Sequence, residues 1–320
     1  TSQKEKDRIP GQGKLVVIAN HPLGGLDGLV LLKLISEVRS DVKIVVNDLL
    51  LNIENLKNLF LPYDIMNSKL QKENLINISE HLKNEGALII FPAGIVSRLK
   101  YFYVRDSKWQ KGALFFAAKY DATILPVYIK AKNSNLFYLV SMFSKKLSMI
   151  LLPHELFNKR SKTIQLKIGH PVPFKSLSNS ISNKNIQLSL LQKHLRLVGK
   201  GKKGIFKTEK TIIHPIDKKI IKKEFDNSEL LDKTIDDKKI YLVKHSDAPN
   251  ILKEISRLRE ITFRQVGEGT GKKQDSDQHD QFYHHIVLWD DKELEIVGSY
   301  RIGLSKDIID NYGCSGLYTS

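Results

Sequence analysis

The chain has 320 residues, 41% of them hydrophobic, enough apolar material for about two cored domains. Its single cysteine, Cys314, excludes a disulfide framework and a cysteine-based zinc cluster, and no run of about 18 apolar residues or signal-peptide core is present. The formal net charge of +16 lies wholly in residues 1–200, which carry 30 Lys and Arg against 14 Asp and Glu, whereas residues 201–320 balance at 21 each.

In chain order, apolar β-branched runs at 15–18, 42–46, 88–91 and 124–129 alternate with segments of helical period. The clearest of these runs from Ser68 as N-cap through Leu70, Leu75, Ile78 and Leu82 to a stop at Gly86. This alternation predicts an α/β fold with a mostly parallel sheet, whose ligands sit at the carboxyl ends of the strands. The apolar segment 136–143, followed by Lys145 and Lys146, suits either a membrane interface that admits acyl chains or a buried helix. A strand over 163–168 and a helix over 185–198 complete a first domain, 1–198.

Residues 199–235 are expected to form a basic linker. Over 156–223 there are 17 basic residues against 2 acidic ones, which suits an anionic membrane surface, nucleic acid, or a solvated connector with lysines for solubility. A second domain, 236–320, begins with a strand over 239–243 and a helix through Ile251, Ile255, Leu258 and Ile261. Strands over 285–289 and 295–300 follow, joined by a turn at 290–292.

The densest chemistry lies in Asn20-His21-Pro22-Leu23-Gly24-Gly25-Leu26-Asp27-Gly28, directly after the first strand. A neutral imidazole accepts a proton near neutral pH, and a neighbouring carboxylate fixes its tautomer, so His21 is a candidate base and Asp27 its orienter. The turn Phe91-Pro92-Ala93-Gly94, also after a strand, comes to the same sheet edge, with Ser97 and Arg98 close behind it. These two motifs, with the Leu125-Pro126-Val127 strand, resemble the glycerolipid acyltransferase superfamily, most closely its hemolysin-like branch, over residues 9–198.

The resemblance implies that His21 deprotonates an acceptor hydroxyl, which attacks an acyl thioester while Asp27 orients the ring. It further implies that Gly24, Gly25, Phe91, Pro92, Gly94, Ser97 and Arg98 bind substrate, Arg98 through a forked contact to an anion. Five residues separate His21 from Asp27 where the superfamily has four, so the pair meets only if the Gly24-Gly25 turn absorbs the extra residue. Ala93 stands where an acidic residue is common, which argues against glycerol 3-phosphate as acceptor.

Further on, the segments 257–264, 267–271, 275–280 and 297–301 are similar to the autoinducer-synthase-like N-acyltransferases, and more narrowly to ornithine lipid N-acyltransferases. Those enzymes move a 3-hydroxyacyl group from acyl carrier protein to an amino acid's α-amine. The match implies that Arg259, Arg264, Asp277, Asp280 and Arg301 shape the amino-acid pocket and the carrier contact. By themselves these residues also read as a solvated acidic loop after a basic helix. His279, His284 and His285 are the remaining histidine candidates for a metal, and 275–280 departs from the calcium-loop pattern at its fifth and sixth positions. No bound metal or cofactor is expected.

The sequence begins at Thr1 and stops before the strand and helix on which the second fold holds its carrier. The expectation is therefore a fragment whose second half is a truncated GNAT-like α/β domain, inactive alone. The fusion resembles bifunctional bacterial synthases of ornithine-type aminolipids. That resemblance implies an acyl carrier protein or coenzyme A thioester as donor, a lyso-lipid acceptor, and a cytoplasmic enzyme held peripherally on the inner face of the cytoplasmic membrane. The rival readings are a lysophospholipid acyltransferase with a degenerate second half, and a basic membrane- or nucleic-acid-binding protein without catalysis. No nucleic-acid motif or basic-aromatic platform accompanies the lysines, so no nucleic-acid partner is expected.

Overall fold

The computed structural model describes residues 1–46, 54–62, 68–100, 103–160, 162–178 and 183–319. The chain divides into two units, Thr1–Thr211 and Ile212–Ser320. In chain order the first contains α1 (Gln3–Lys6), β1 (Leu15–Ala19), α2 (Gly25–Ser36), β2 (Val42–Val46), β3 (Phe60–Pro62), α3 (Ser68–Lys83), β4 (Ala87–Ile90), β5 (Arg98–Lys100) and β6 (Tyr103–Arg105). It continues with α4 (Gly112–Tyr120), β7 (Thr123–Lys130), α5 (Asn135–Phe143), α6 (Lys145–Ile150), α7 (Leu152–Phe157), β8 (Gln165–Ile168), α8 (Phe174–Ser178) and α9 (Lys184–Gly199).

Six strands form one sheet in the order β3-β2-β4-β1-β7-β8, parallel except where β8 runs antiparallel to β7. Every residue of β1 is buried, because both faces of the sheet are covered. Val16 and Ile18 enter a core with α3, α4 and α9, while Leu15, Val17 and Ala19 enter another with α2 on the opposite face. This is the expected α/β arrangement with a mostly parallel sheet. The short strand β3 and the two-stranded ladder of β5 and β6 have no periodicity long enough to be read from sequence.

His194 is buried in α9, and its Nδ1 accepts backbone N–H bonds from Ile205 (3.0 Å) and Phe206 (3.3 Å). Gly204 passes so close that a Cβ there would lie 2.2 Å from His194 Cε1. Burial holds the His194 imidazole down to about 4. The unfolded chain takes up that proton near 6.5 and the folded chain does not, so stability is full above about pH 6.5 and is lost as pH falls toward 4. The thermal midpoint of His194→Gln should therefore gain on that of the wild type as pH falls across this window. A constant gap between the two would refute the assignment.

The second unit holds α10 (Lys218–Asp226), β9 (Glu229–Lys233), β10 (Lys239–Val243), α11 (Pro249–Val266), β11 (His284–Asp290), β12 (Glu295–Ile302) and α12 (Ser305–Tyr312). Its sheet is antiparallel in the order β12-β11-β10-β9, and α11 starts on a proline and ends at Gly267 with φ of +87°. Here the sequence expectation of a linker over 199–235 departs from the structure. The basic run at 218–223 is the solvated face of α10, whose Ile221 and Phe225 are buried, with Phe225 against the rings of Tyr241 and Trp289 at 4.8 and 4.7 Å. An apolar pair at helical spacing inside a lysine run is too short a signal to outweigh the charge pattern. Lys218 and Lys222 face Glu295 and Asp291 at 3.3 and 3.6 Å.

Candidate active site

The first site is built where β1 ends. Asn20 extends the pairing of β1 with β7, its Nδ2 donating to the Ile129 carbonyl (2.9 Å) and its Oδ1 accepting from the Ile129 N–H (2.7 Å). That clamp fixes the backbone from which His21 departs. Gly24 then turns the chain at φ of +86°, and α2 begins at Gly25. A Cβ on Gly24 would lie 3.3 Å from both Leu152 and Val96, so conformation and space both favour glycine there.

Asp27, at the third position of α2, folds back over the helix start. Its Oδ2 accepts from the N–H groups of Leu23 (2.7 Å) and Gly24 (3.1 Å) and lies 3.0 Å from His21 Nδ1. The carboxylate therefore caps its own helix and reaches the imidazole at once, and the turn at Gly24 takes up the extra residue of the spacing. Because Oδ2 is the acceptor for all three groups, the His21 proton resides on Nδ1 and Nε2 is left as the basic nitrogen. The Asp27 side chain is wholly buried, whereas His21 keeps 15% of its side chain accessible. Burial raises the Asp27 carboxyl above the usual carboxylate range, and the His21 ring with the Leu23 and Gly24 N–H groups pulls it partly back.

The second motif meets the first in space. The Phe91 ring stacks on His21 with centroids 4.2 Å apart and planes at 25°. The Phe91 carbonyl accepts from the Gly94 N–H (3.0 Å), the Pro92 carbonyl from the Gln110 N–H (2.7 Å), and the His21 carbonyl from the Ser97 N–H (2.7 Å). Ala93 is packed in the apolar core. The residue that sequence reasoning missed is Asp106. One of its oxygens accepts from the His21 N–H (3.2 Å) and from the Ser97 hydroxyl, and the other accepts from the Trp109 indole (3.0 Å). An isolated aspartate outside either motif gives no sequence signal; only the convergence of three donors reveals it.

Arg98 donates to the Ser148 hydroxyl and lies over the Phe137 ring at 5.7 Å. Its Nε is buried with no hydrogen-bond partner, and it has no carboxylate partner among the described residues. Burial pulls the Arg98 guanidinium below its ordinary value. The site thus holds an imidazole whose tautomer is fixed by Asp27 and, one residue beyond Ser97, a half-buried guanidinium bonded to Ser148.

In the second unit the structure gathers four of the five expected residues. Arg301 contacts Asp277 (2.7 Å) and Asp280 (2.8 Å), while Arg259 contacts Asp275 (3.2 Å) and Asp280 (3.4 Å). Arg264 is not in that cluster: it pairs with Glu260 (2.7 Å) and donates to the Lys272 carbonyl (2.5 Å). Glu260 is fully buried and also accepts from the Thr270 N–H and hydroxyl and the Gly271 N–H, so this pair organises the loop after α11. Burial holds His285 down to about 4. Among the described residues, His279, His284 and His285 do not join a group of three or more side chains placed to hold a metal ion.

Comparison with known proteins follows this division. A family model described as Acyltransferase matches residues 1–200, and one for the Acetyltransferase (GNAT) domain matches residues 258–320. The lyso-glycine lipid O-acyltransferase of Bacteroides thetaiotaomicron is 30% identical over 181 residues, 54% of this chain and 66% of the relative. The glycine N(alpha)-acyltransferase of the same organism is 39% identical over 114 residues, 34% of this chain and 34% of the relative. The crystal structure of the 1-acyl-sn-glycerophosphate acyltransferase from Thermotoga maritima is matched with a TM-score of 0.37 and 19% identity, over 61% of this chain and 70% of that one. The chain thus spans just under two thirds of the first of these curated relatives and about a third of the second. With 200 of its 320 residues matched by one model, the chain belongs to the acyltransferase family, and its residues 258–320 match a GNAT domain.

Proposed function

We propose that residues 1–198 form an O-acyltransferase of aminolipid biosynthesis, and that residues 236–320 belong to the N-acyltransferase that makes its acceptor. The contact of His21 Nδ1 with the buried Asp27 carboxylate at 3.0 Å carries this reading. In the reaction, His21 Nε2 takes the proton from an acceptor hydroxyl, and the oxygen attacks the carbonyl carbon of an acyl thioester. A C–O bond forms, the C–S bond breaks, and the departing thiolate takes the proton back from the imidazolium. Asp27 keeps the ring in the productive tautomer and stabilises its charged form, while Asp106 holds the backbone of His21 in place.

The acceptor we assign is the 3-hydroxyl of an N-acylated amino acid. Relatives named for glycine favour glycine over the ornithine expected from sequence. Arg98 supports an acceptor with a carboxylate, because a partly buried guanidinium whose Nε has no partner, and which meets no carboxylate among the described residues, is suited to an external anion. Ala93 in the core supports it too, since the acidic residue associated with glycerol 3-phosphate is absent. The donor is an acyl carrier protein or coenzyme A thioester, and the setting is the cytoplasmic face of an anionic membrane. No helix among the described residues is long and apolar enough to cross a membrane.

The test supplies the purified chain with an acyl thioester and either N-(3-hydroxyacyl)glycine or lysophosphatidic acid, with products read by mass spectrometry. The ester of the glycine acceptor is the expected product. Phosphatidate alone would establish the lysophospholipid reading instead, and absence of any ester would refute both. Arg98→Ala should raise KM for the glycine acceptor by about tenfold with a smaller change in kcat, as befits a lost charge-assisted contact. An unchanged KM would remove Arg98 from acceptor binding.

A further inference from the structure

The face built by α5, α6 and α7 exposes an unusual amount of apolar surface. Leu139 is 56% exposed, Met142 64%, Phe143 90% and Ile150 72%, and Leu136 and Phe157 are exposed beside them in sequence. Residues of α5 and α7 that do pack inward, Phe137, Tyr138 and Leu152, share a small cluster with Val96. The helices are therefore anchored on one side and apolar on the other. Soluble proteins rarely expose large contiguous apolar patches unless something covers them.

Three observations indicate what covers this one. Residues 130–162 carry seven Lys and Arg against one acidic residue, Glu155, and that carboxylate is buried on Ser134 (2.8 Å to its N–H), leaving the segment strongly cationic. The inner side of the same helices abuts the candidate site: buried Ser148 of α6 meets Arg98, and Leu152 of α7 packs over Gly24 beside the His21 turn. Finally, the short helices present Leu, Met, Ile and Phe with flanking basic residues, the composition of elements that lie in a lipid interface.

We propose that the face of α5–α7 docks on an anionic bilayer and delivers a lipid acceptor from the membrane plane to His21. The delivery step rests on the O-acyltransferase reading; the docking step does not. Apolar side chains of α5 and α6 enter the headgroup–acyl boundary, and the basic residues around them meet lipid phosphates.

The full chain is sedimented with vesicles of phosphatidylcholine alone and of phosphatidylcholine mixed with phosphatidylglycerol, at low and high salt. Binding to the anionic vesicles should exceed binding to the neutral ones and weaken with salt, and the combined variant Leu139→Ser, Met142→Ser, Phe143→Ser should bind at least about tenfold less. The variant should also lose activity on acceptor presented in vesicles while keeping activity on a short-chain, water-soluble acceptor, which shows that the fold and the chemistry survive. Equal vesicle binding by variant and wild type would overturn the proposal. So would a wild-type dimer that the variant converts to monomer, because a second copy would then own the face. Sedimentation needs no turnover, so absence of acyl transfer to any acceptor would defeat the functional reading while leaving the docking result to stand or fall by itself.

Discussion

His21→Ala is expected to lower the rate of ester formation by about 10³-fold or more while leaving the thermal midpoint close to that of the wild type. In the proposed mechanism the imidazole removes the hydroxyl proton, and none of the described side chains in contact with it is placed to take over. Phe91 has no basic atom, Asp27 is sealed beneath the ring, and the hydroxyl of Ser97 is committed to Asp106. Because the His21 side chain is partly exposed and its main chain is held through backbone groups by Asp106 and Ser97, its removal costs little structure. In a host that makes the full aminolipid, the variant should accumulate the monoacylated N-acyl amino acid and lose the diacylated form, as read by lipid mass spectrometry. Equal diacylated lipid from both proteins would remove His21 from the mechanism.

The two replacements of Asp27 separate charge from architecture. In Asp27→Asn the amide oxygen can occupy the Oδ2 position and keep all three bonds, to Leu23, Gly24 and His21, so the ring stays placed while the charge that stabilises the imidazolium disappears. A loss of about 10²- to 10³-fold in kcat is the expected result. Asp27→Ala leaves two buried N–H groups at the start of α2 without an acceptor and should cost about 2–4 kcal/mol of stability as well.

Stability against pH gives a second reading of the same residue. Burial raises the folded carboxyl above its unfolded value, so the folded chain holds that proton more tightly than the unfolded chain. The stability this confers is full below about pH 4 and is lost as pH rises through the folded value. Asp27→Asn cannot ionise, so its thermal midpoint should gain on the wild type as pH rises from about 4. A gap that stays flat would show that the Asp27 carboxyl is not perturbed by burial.

Much of this protein was legible from sequence because its signals are local. β1, β4 and β7 are apolar runs buried almost throughout, β2 alternates buried with half-buried residues, and such runs need no tertiary information to be read. α3, α9 and α11 carry apolar residues at helical spacing over four turns or more. The His21 and Phe91 motifs could be placed at one sheet edge because parallel strands point their carboxyl ends the same way. α10 was missed because its two buried apolar side chains, Ile221 and Phe225, sit among four lysines and two acids whose charge dominates the pattern.

The sequence by itself determined the two-part organisation, the α/β class of the first part and the identity of the histidine and carboxylate that face each other. Only the tertiary structure decided whether they meet, because that depends on a single backbone angle at Gly24 and on a carboxylate doubling as a helix cap. It alone brought Asp106, 85 residues along the chain from His21, to the His21 backbone, and among the described residues it alone left Arg98 Nε without a partner and the apolar side chains on the outer face of α5 and α6 exposed. The physical reason is range: periodicity and turn chemistry act over a few residues, whereas hydrogen-bond satisfaction and burial are settled by whichever distant segments the packed sheet brings together.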